Sequence, residues 1–125
     1  MSKKILIVDD EEIIVDILKR RFTRMGFSVL ESLEGSHAID LLQREPVDLV
    51  VCDVKMPDGT SGTDVLRATR KYRPGAPFVA ISGLLMTDES VQEFLRNGAA
   101  LFIKKPFASL RDVTEQIAAL VDTDA

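Results

Sequence analysis

Five short apolar segments alternate with five stretches of helical spacing, and this alternation constrains the fold more than any other feature of the sequence. Two of the apolar segments, 5–8 and 47–52, are almost continuously apolar, as expected for strands that are buried on both faces. A strand and a helix repeated five times predict an α/β domain whose parallel sheet is covered on both sides. The apolar segments are ILIV (5–8), SVLE (28–31), VDLVVC (47–52), FVAI (78–81) and ALFI (100–103).

The segments between them carry helix signals of several kinds. Gly26 supplies a stop for the first helix. Ser61 and Asp64, and likewise Ser109 and Asp112, have the spacing of a capping box at the start of the third and fifth helices. Apolar residues recur on one face at Ile14, Ile17, Leu18, Phe22 and Met25 in the first helix, Ala38, Leu41 and Leu42 in the second, Val91, Phe94 and Leu95 in the fourth, and Leu110, Val113, Ile117, Leu120 and Val121 in the fifth.

Length and composition predict one globular domain over residues 1–125. A hydrophobic content of 46 % with 29 % charged residues is typical of folded rather than disordered chains. The net charge of −4 is spread along the chain, which argues against direct nucleic-acid binding, and no apolar run is long enough for a membrane span. The single cysteine, Cys52, is expected in the core and cannot form an internal disulfide, which fits a cytoplasmic protein.

Polar residues follow the ends of four predicted strands. Asp9 and Asp10 follow the first strand, Asp53 the third, Ser82 the fourth and Lys105 the fifth. The carboxyl ends of parallel strands meet at one edge of a sheet, and ligands bind outside that edge where the strand order reverses. We therefore expect three carboxylates, a hydroxyl and an ammonium group to lie close together.

Such a group of acids predicts either bound protons or a bound cation. At an effective dielectric constant near 20, each close pair of carboxylates costs on the order of 4 kcal/mol. Carboxylate oxygens with room for water suit Mg²⁺. A carboxylate beside Mg²⁺ and a lysine is also well placed to attack a phosphoryl group and to form an aspartyl phosphate.

Four segments, ILIVDDE, DLVVCDVKMP, FVAISG and NGAALFIKKPF, resemble in order and spacing the receiver domain of bacterial two-component response regulators of the chemotaxis type. The resemblance covers essentially the whole chain. It implies a doubly wound, flavodoxin-like sheet of five parallel strands in the order 2-1-3-4-5, with five helices on both faces. It also implies a cytoplasmic signalling switch, not an enzyme acting on other substrates, that catalyses only its own phosphorylation and dephosphorylation.

The resemblance implies partners as well as chemistry. The phosphoryl group would come from a sensor histidine kinase or a histidine phosphotransfer protein. The surface of the fourth helix, fifth strand and fifth helix would relay the phosphorylated state to a downstream effector or to an output domain missing from this chain, and phosphorylation can drive dimerisation. Only the four residues DTDA follow the last predicted helix, so we expect a domain that either works alone or is cut from a longer protein.

The resemblance assigns the acidic residues. Asp53 is the expected phosphoacceptor and a ligand of Mg²⁺. Asp10 is expected to bind the ion directly and Asp9 through water, and the backbone carbonyl of Lys55 is a further expected ligand.

It also assigns the residues after the fourth and fifth strands. Ser82 is expected to hydrogen-bond the phosphoryl group, and Lys105 to contact another of its oxygens across a cis bond to Pro106. Phe102 is expected to change rotamer as Ser82 moves toward the phosphoryl group, which would remodel the relay surface.

Structural alternatives exist for most of these residues. Asp9 and Asp10 are also typical caps for a following helix. Ser82 before a glycine is ordinary turn chemistry. Lys105 is alternatively a solvated surface lysine, and Phe102 a static part of the core.

Two other functional classes are open at this point. PDGT resembles a motif of haloacid-dehalogenase-like phosphatases, but that motif needs an aspartate where Met56 stands. A receiver-like module that works without phosphorylation is the second alternative. The loop MPDGTSG also places Gly62 one residue later than the family pattern, and Lys55 and Leu84 occupy positions that tune phosphoryl lifetime in the family.

The start of the first helix is unusually apolar. Ile13 and Val15 are expected on either side of its buried stripe, as a margin that docks helices of a kinase or phosphotransfer protein. Wider burial in the core is the alternative. His37 is expected to be an exposed helix residue without a chemical role.

Overall fold

The computed structural model describes residues 2–55, 60–83 and 87–121, and its strands form one parallel sheet in the order β2-β1-β3-β4-β5. The predicted fold class and strand order are confirmed. The strands are β1 (Lys4–Val8), β2 (Ser28–Ser32), β3 (Leu49–Asp53), β4 (Phe78–Ser82) and β5 (Ala99–Lys104), and the helices are α1 (Glu12–Arg24), α2 (Gly35–Arg44), α3 (Gly62–Tyr72), α4 (Asp88–Arg96) and α5 (Leu110–Ala118).

The side chains of the central strands fill two separate apolar layers. All residues of β3 and β4 are buried, because helices cover both faces of the sheet. One layer joins the sheet to α2, α3 and α4, and the other joins it to α1 and α5. Alternate residues enter opposite layers: Leu6, Val50 and Ala80 enter the first layer, and Ile7, Val51 and Ile81 enter the second.

The buried stripe of α1 differs from the predicted one. Val15, Leu18 and Phe22 are its fully buried residues, so the prediction that Val15 lies at an exposed margin is wrong. Positions i, i+3 and i+7 share one helical face, and this face turns Val15 onto the sheet. Ile13 is 70 % exposed, as the margin hypothesis requires. Gly26, with φ of 98°, follows the end of α1, where a left-handed residue stops the helix.

The start of α3 is fixed against the strand end that carries Asp53. The Ser61 hydroxyl accepts a hydrogen bond from the Asp64 N–H, and the Asp64 carboxylate accepts one from the Ser61 N–H, which completes the predicted capping box. The Gly62 N–H donates to the Val54 carbonyl at 2.6 Å, and a Cβ at Gly62 would lie 2.8 Å from the Val54 Cα. A glycine is therefore needed here for close packing.

The end of the chain follows the prediction less closely. Ser109 accepts a hydrogen bond from the Asp112 N–H at the start of α5, but the helix ends at Ala118. Leu120 and Val121 lie beyond it and still pack against the α1 and α5 layer. Leu84 and the loop 56–59 lie outside the described residues, so expectations that depend on them stay predictions.

No helix within the described ranges combines the length and the apolar character that a membrane span needs.

Candidate functional site

Three aspartates meet at the carboxyl edge of the sheet. Asp9 and Asp10 follow β1, and Asp53 is the last residue of β3, which neighbours β1. One carboxylate oxygen from each lies within 4.8 Å of the other two. Asp9 and Asp53 are buried and Asp10 is exposed. The cluster therefore has one side open to water, as a site for a partly hydrated ion requires.

Lys105 reaches into this cluster from the end of β5. Its Nζ lies 2.9 Å from Asp9 Oδ2, 2.9 Å from Glu11 Oε1 and 3.4 Å from Asp53 Oδ2. Its side chain is only 7 % exposed, so the alternative of a solvated surface lysine is wrong for this residue. The Lys105–Pro106 bond is cis, the conformation that the resemblance implies.

Asp9 has two structural tasks. Its Oδ1 accepts a hydrogen bond from the Glu11 N–H at 2.9 Å and so orders the turn into α1, while its Oδ2 binds Lys105. The N-cap of α1 is Glu11, with no side-chain cap hydrogen bond, so Asp9 orders the turn before the helix and does not cap it. Because Asp9 is completely buried, it can hold the lysine in place without competition from solvent.

Ser82 and Phe102 lie on the same face of the sheet. Ser82 ends β4 and pairs with Lys104, two residues after the pairing of Ala80 with Phe102. Ser82 is 1 % exposed, and its carbonyl accepts a hydrogen bond from the Lys105 N–H at 2.8 Å. The half-buried Phe102 ring makes an edge-to-face contact with Phe94 of α4, with ring centroids 5.9 Å apart. Ser82 and Phe102 thus share the sheet face on which Phe94 of α4 packs.

The electrostatics of the site oppose the charged form of its acids. Burial, reinforced by the charge of Asp9, raises the pKa of Asp53 to about 6, although Lys105 acts in the opposite direction. Burial also raises the pKa of Asp9, against its hydrogen bonds from the Glu11 N–H and Lys105. For Lys105, burial lowers the pKa, but the hydrogen bonds to Glu11 and Asp9 and the charges of Asp9 and Asp53 together raise it. A cation bound in addition to Lys105 would reduce the remaining repulsion between the aspartates.

The donor set fits Mg²⁺, because all three aspartates offer hard carboxylate oxygens. Lys55 lies two residues after β3, where its backbone forms a bridge with Ser61. The structure therefore brings Lys55 near the strand end that carries Asp53, and the role of its carbonyl as a ligand stays a prediction.

The sequence pattern alone assigns no role to Glu11. Its carboxylate binds Lys105 across a separation of 94 residues. The only signal was its position directly after two acids at a strand end. His37 is exposed, as predicted, and its Nδ1 lies 2.9 Å from Ser32 Oγ. Cys52 is buried as expected, and burial, with the charges of Asp53 and Asp9, raises the pKa of its thiol.

The family model described as the response regulator receiver domain matches residues 5–118 of this chain. The alkaline phosphatase synthesis transcriptional regulatory protein PhoP of Bacillus subtilis is 33 % identical over 123 residues, which are 97 % of this chain and 49 % of that protein. The chain spans about half the length of the curated relatives it matches.

Solved structures give the same result. The CheY-like response regulator receiver domain protein of Methanospirillum hungatei has a TM-score of 0.87 and 31 % identity, with 95 % of this chain and 93 % of that chain covered. The response regulator TrrA of Thermotoga maritima, in complex with Mg²⁺ and beryllofluoride, has a TM-score of 0.80 and 26 % identity, with 95 % and 99 % covered. The resemblance inferred from the sequence is confirmed, and the match leaves no support for a dehalogenase-like phosphatase.

Proposed function

Because the chain belongs to the response regulator receiver domain family, the phosphorylation-activated switch of two-component signalling, we propose that Asp53 is its phosphoacceptor. The observation that carries this proposal is the cluster of three carboxylates within 4.8 Å of one another, with the Lys105 ammonium 3.4 Å from Asp53. An Asp53 oxygen forms the new bond to phosphorus, and the bond from phosphorus to the donor's histidine nitrogen breaks. The leaving nitrogen keeps the electron pair.

Mg²⁺ is the proposed cofactor. Asp10 and Asp53 would hold it directly, Asp9 through water, and the Lys55 backbone carbonyl would complete the protein ligands. When bound, the ion supplies positive charge that stabilises the transferred oxygens.

The remaining residues orient the phosphoryl group. Lys105 donates a hydrogen bond to one phosphoryl oxygen, while Asp9 keeps the lysine at the site. Ser82 donates to another phosphoryl oxygen. Water later hydrolyses the aspartyl phosphate, so the chain catalyses only its own phosphorylation and dephosphorylation. The single, buried Cys52 is consistent with the cytoplasm, where we expect the chain to work.

The signal is proposed to leave the site through Ser82 and Phe102. These residues share a face of the sheet, and Phe102 contacts Phe94 of α4. Movement of Ser82 toward the phosphoryl group would let Phe102 change rotamer and remodel the surface formed by α4, β5 and α5. The χ1 angle of Phe102, measured by NMR with and without beryllofluoride, tests this step, and an unchanged rotamer would contradict it.

The proposed partners follow from the family. A sensor histidine kinase or a histidine phosphotransfer protein donates the phosphoryl group, and the exposed Ile13 on α1 is proposed as part of the surface it contacts. A downstream effector or an output domain is proposed to recognise the phosphorylated state. Dimerisation on phosphorylation is a further part of this proposal. The net charge of −4 argues against direct nucleic-acid binding by this chain.

Intact-protein mass after incubation with acetyl phosphate tests the central proposal. We expect a gain of one phosphoryl group with Mg²⁺, little gain with a chelator, and none in Asp53→Asn. Asp40→Asn, an exposed acid on α2, is the matched control and should be modified like the unaltered chain. No gain in a folded, Mg²⁺-containing sample would instead favour a module that works without phosphorylation by small donors.

A further inference from the structure

The Lys105 ammonium group contacts more acceptors than the proposed reaction requires. A lysine offers three N–H donors, and Asp9, Glu11 and Asp53 take all three. The distances to Asp9 and Glu11 are 2.9 Å, whereas the distance to Asp53 is 3.4 Å. The ammonium group is therefore held more closely by the two residues that follow β1 than by the proposed phosphoacceptor.

The donor that now faces Asp53 at 3.4 Å is the first one open to a phosphoryl group on that residue. A closer approach of Nζ, or a second donor, requires one of the two shorter contacts to lengthen, and these two differ in how easily they break. The Asp9 side chain is completely buried, so loss of its contact would leave a carboxylate without compensation. The Glu11 side chain is 55 % exposed, so water can solvate its carboxylate at once. Of the two short contacts, the one with Glu11 therefore breaks at the smaller cost.

We propose that Glu11 is a positioning residue that competes with the phosphoryl group for Lys105 and thereby sets how strongly the site holds that group. This inference rests on the proposed function of Asp53. While Glu11 binds the lysine, one donor points away from Asp53 and Nζ is held 3.4 Å from its carboxylate, so a closer contact with the phosphoryl group competes with Glu11. Removal of the Glu11 carboxylate should therefore strengthen the binding of a phosphoryl group.

A simple charge effect must be separated from this competition, because removal of any nearby negative charge favours an incoming anion. Glu12 provides the matched control. It is the next residue, it is exposed, and it forms no ion pair among the described residues. Substitution of Glu12 removes the same charge and leaves the contact between Glu11 and Lys105 in place.

The experiment measures the dissociation constant of beryllofluoride by amide chemical shifts, at saturating Mg²⁺, for Glu11→Gln, Glu11→Ala and the same two changes at Glu12. A neutral acceptor is weaker than a charged one. We therefore expect about twofold tighter binding for Glu11→Gln and about fivefold for Glu11→Ala, within the range of a half-exposed ion pair. The Glu12 variants should change the constant by less than about 1.5-fold, because exposed charges are screened.

A double-mutant cycle identifies the lysine as the intermediary. In a Lys105→Met background, the Glu11 substitutions should no longer tighten the binding of beryllofluoride, because no ammonium group remains to be released. The initial rate of acetyl phosphate labelling, measured on the same variants, should rise in parallel with the affinity. A merely structural role of Glu11 would lower the affinity instead of raising it.

The outcomes are distinct. An unaltered chain that neither binds beryllofluoride nor is labelled overturns the proposed function and this inference together. If the unaltered chain is labelled, three results overturn the inference alone: Glu11 variants equal to the Glu12 variants, weaker binding, or a gain that persists without Lys105. Tighter binding that depends on Lys105 supports it.

Discussion

In β3, Leu49 to Cys52 lie completely buried among apolar side chains, whereas Asp53, the next residue, holds a carboxylate within 4.8 Å of two others. The centre of the sheet gains stability from every residue it removes from water. The carboxyl edge loses stability, because burial and like charge both oppose ionisation of its acids. The apolar layers on both faces therefore maintain a cluster of charges that would not assemble by itself.

The largest expected effect is a loss of stability at the centre of the sheet. Leu6 of β1 is completely buried, so Leu6→Ala should lower the free energy of unfolding by about 3 kcal/mol through lost burial and the cavity left behind. Leu33, which follows β2 at the carboxyl edge and is 38 % exposed, is the matched control, and Leu33→Ala should cost less than about 1 kcal/mol. Urea unfolding followed by circular dichroism measures both. Equal losses would contradict the contrast between centre and edge.

A smaller effect of opposite sign is expected for Asp53. Its pKa is raised from the usual 3.8 to about 6, so ionisation opposes folding. This cost is fully present above pH 6 and disappears as the pH falls below 4. Without Mg²⁺ at pH 7.5, Asp53→Asn should therefore raise the free energy of unfolding by about 2 kcal/mol.

The gain in Asp53→Asn should shrink as the pH falls below 6 and vanish at about pH 3, where the carboxyl group of the unaltered chain is largely protonated in both the folded and the unfolded states. Asp10→Asn tests the dependence on burial, because Asp10 lies at the same edge but is exposed, and its gain should be smaller. Urea unfolding with a chelator at several pH values provides the measurement. A loss of stability in Asp53→Asn at pH 7.5 would show that its ion pair with Lys105 outweighs burial.

The same pKa predicts how Mg²⁺ binding depends on pH. Below pH 6, the ion must displace a proton from Asp53, so its affinity should fall by up to about tenfold per pH unit. Above pH 7, the affinity should change little. Amide chemical shifts are a suitable measurement, since the chain has no tryptophan. An affinity that stays constant between pH 8 and pH 5 would contradict the raised pKa.

The centre of the sheet was more predictable from the sequence than its edge. Apolar runs placed all five strands to within two residues, because burial on both faces leaves a continuous pattern. The same runs placed Asp9, Asp53 and Lys105 at one edge. The burial of Val15 was not predicted, because the orientation of α1 depends on its contacts with the sheet and not on its own periodicity.

The contact between Glu11 and Lys105 could not be predicted from the sequence either. It joins residues 94 positions apart, and both side chains are long and flexible enough to point elsewhere. Strand order brings β1 near the centre and β5 to the edge of the sheet, so only the three-dimensional arrangement shows that the lysine crosses β4 and β3 to reach the acids of β1. Pattern predicts which strand ends meet, but not which atoms pair there.

The smallest expected effect on stability concerns a residue beside the carboxyl edge. Ile13 is 70 % exposed at the start of α1, so Ile13→Lys should change the free energy of unfolding by less than about 0.5 kcal/mol. If Ile13 contacts the phosphoryl donor, the same change should slow transfer from a phosphorylated histidine kinase that labels the unaltered chain, by roughly tenfold for one buried apolar side chain. Labelling by acetyl phosphate should stay unchanged, because this small donor needs no docking surface.

Thr23→Lys is the control for Ile13→Lys, since it adds the same charge to an exposed position at the other end of α1. It should leave both transfer and labelling as they are. Slower transfer in both variants would indicate a general charge effect on the encounter with the kinase. Loss of both activities in Ile13→Lys alone would show that Ile13 supports the geometry of the acids after β1. The functional edge of the sheet would then include the first turn of α1.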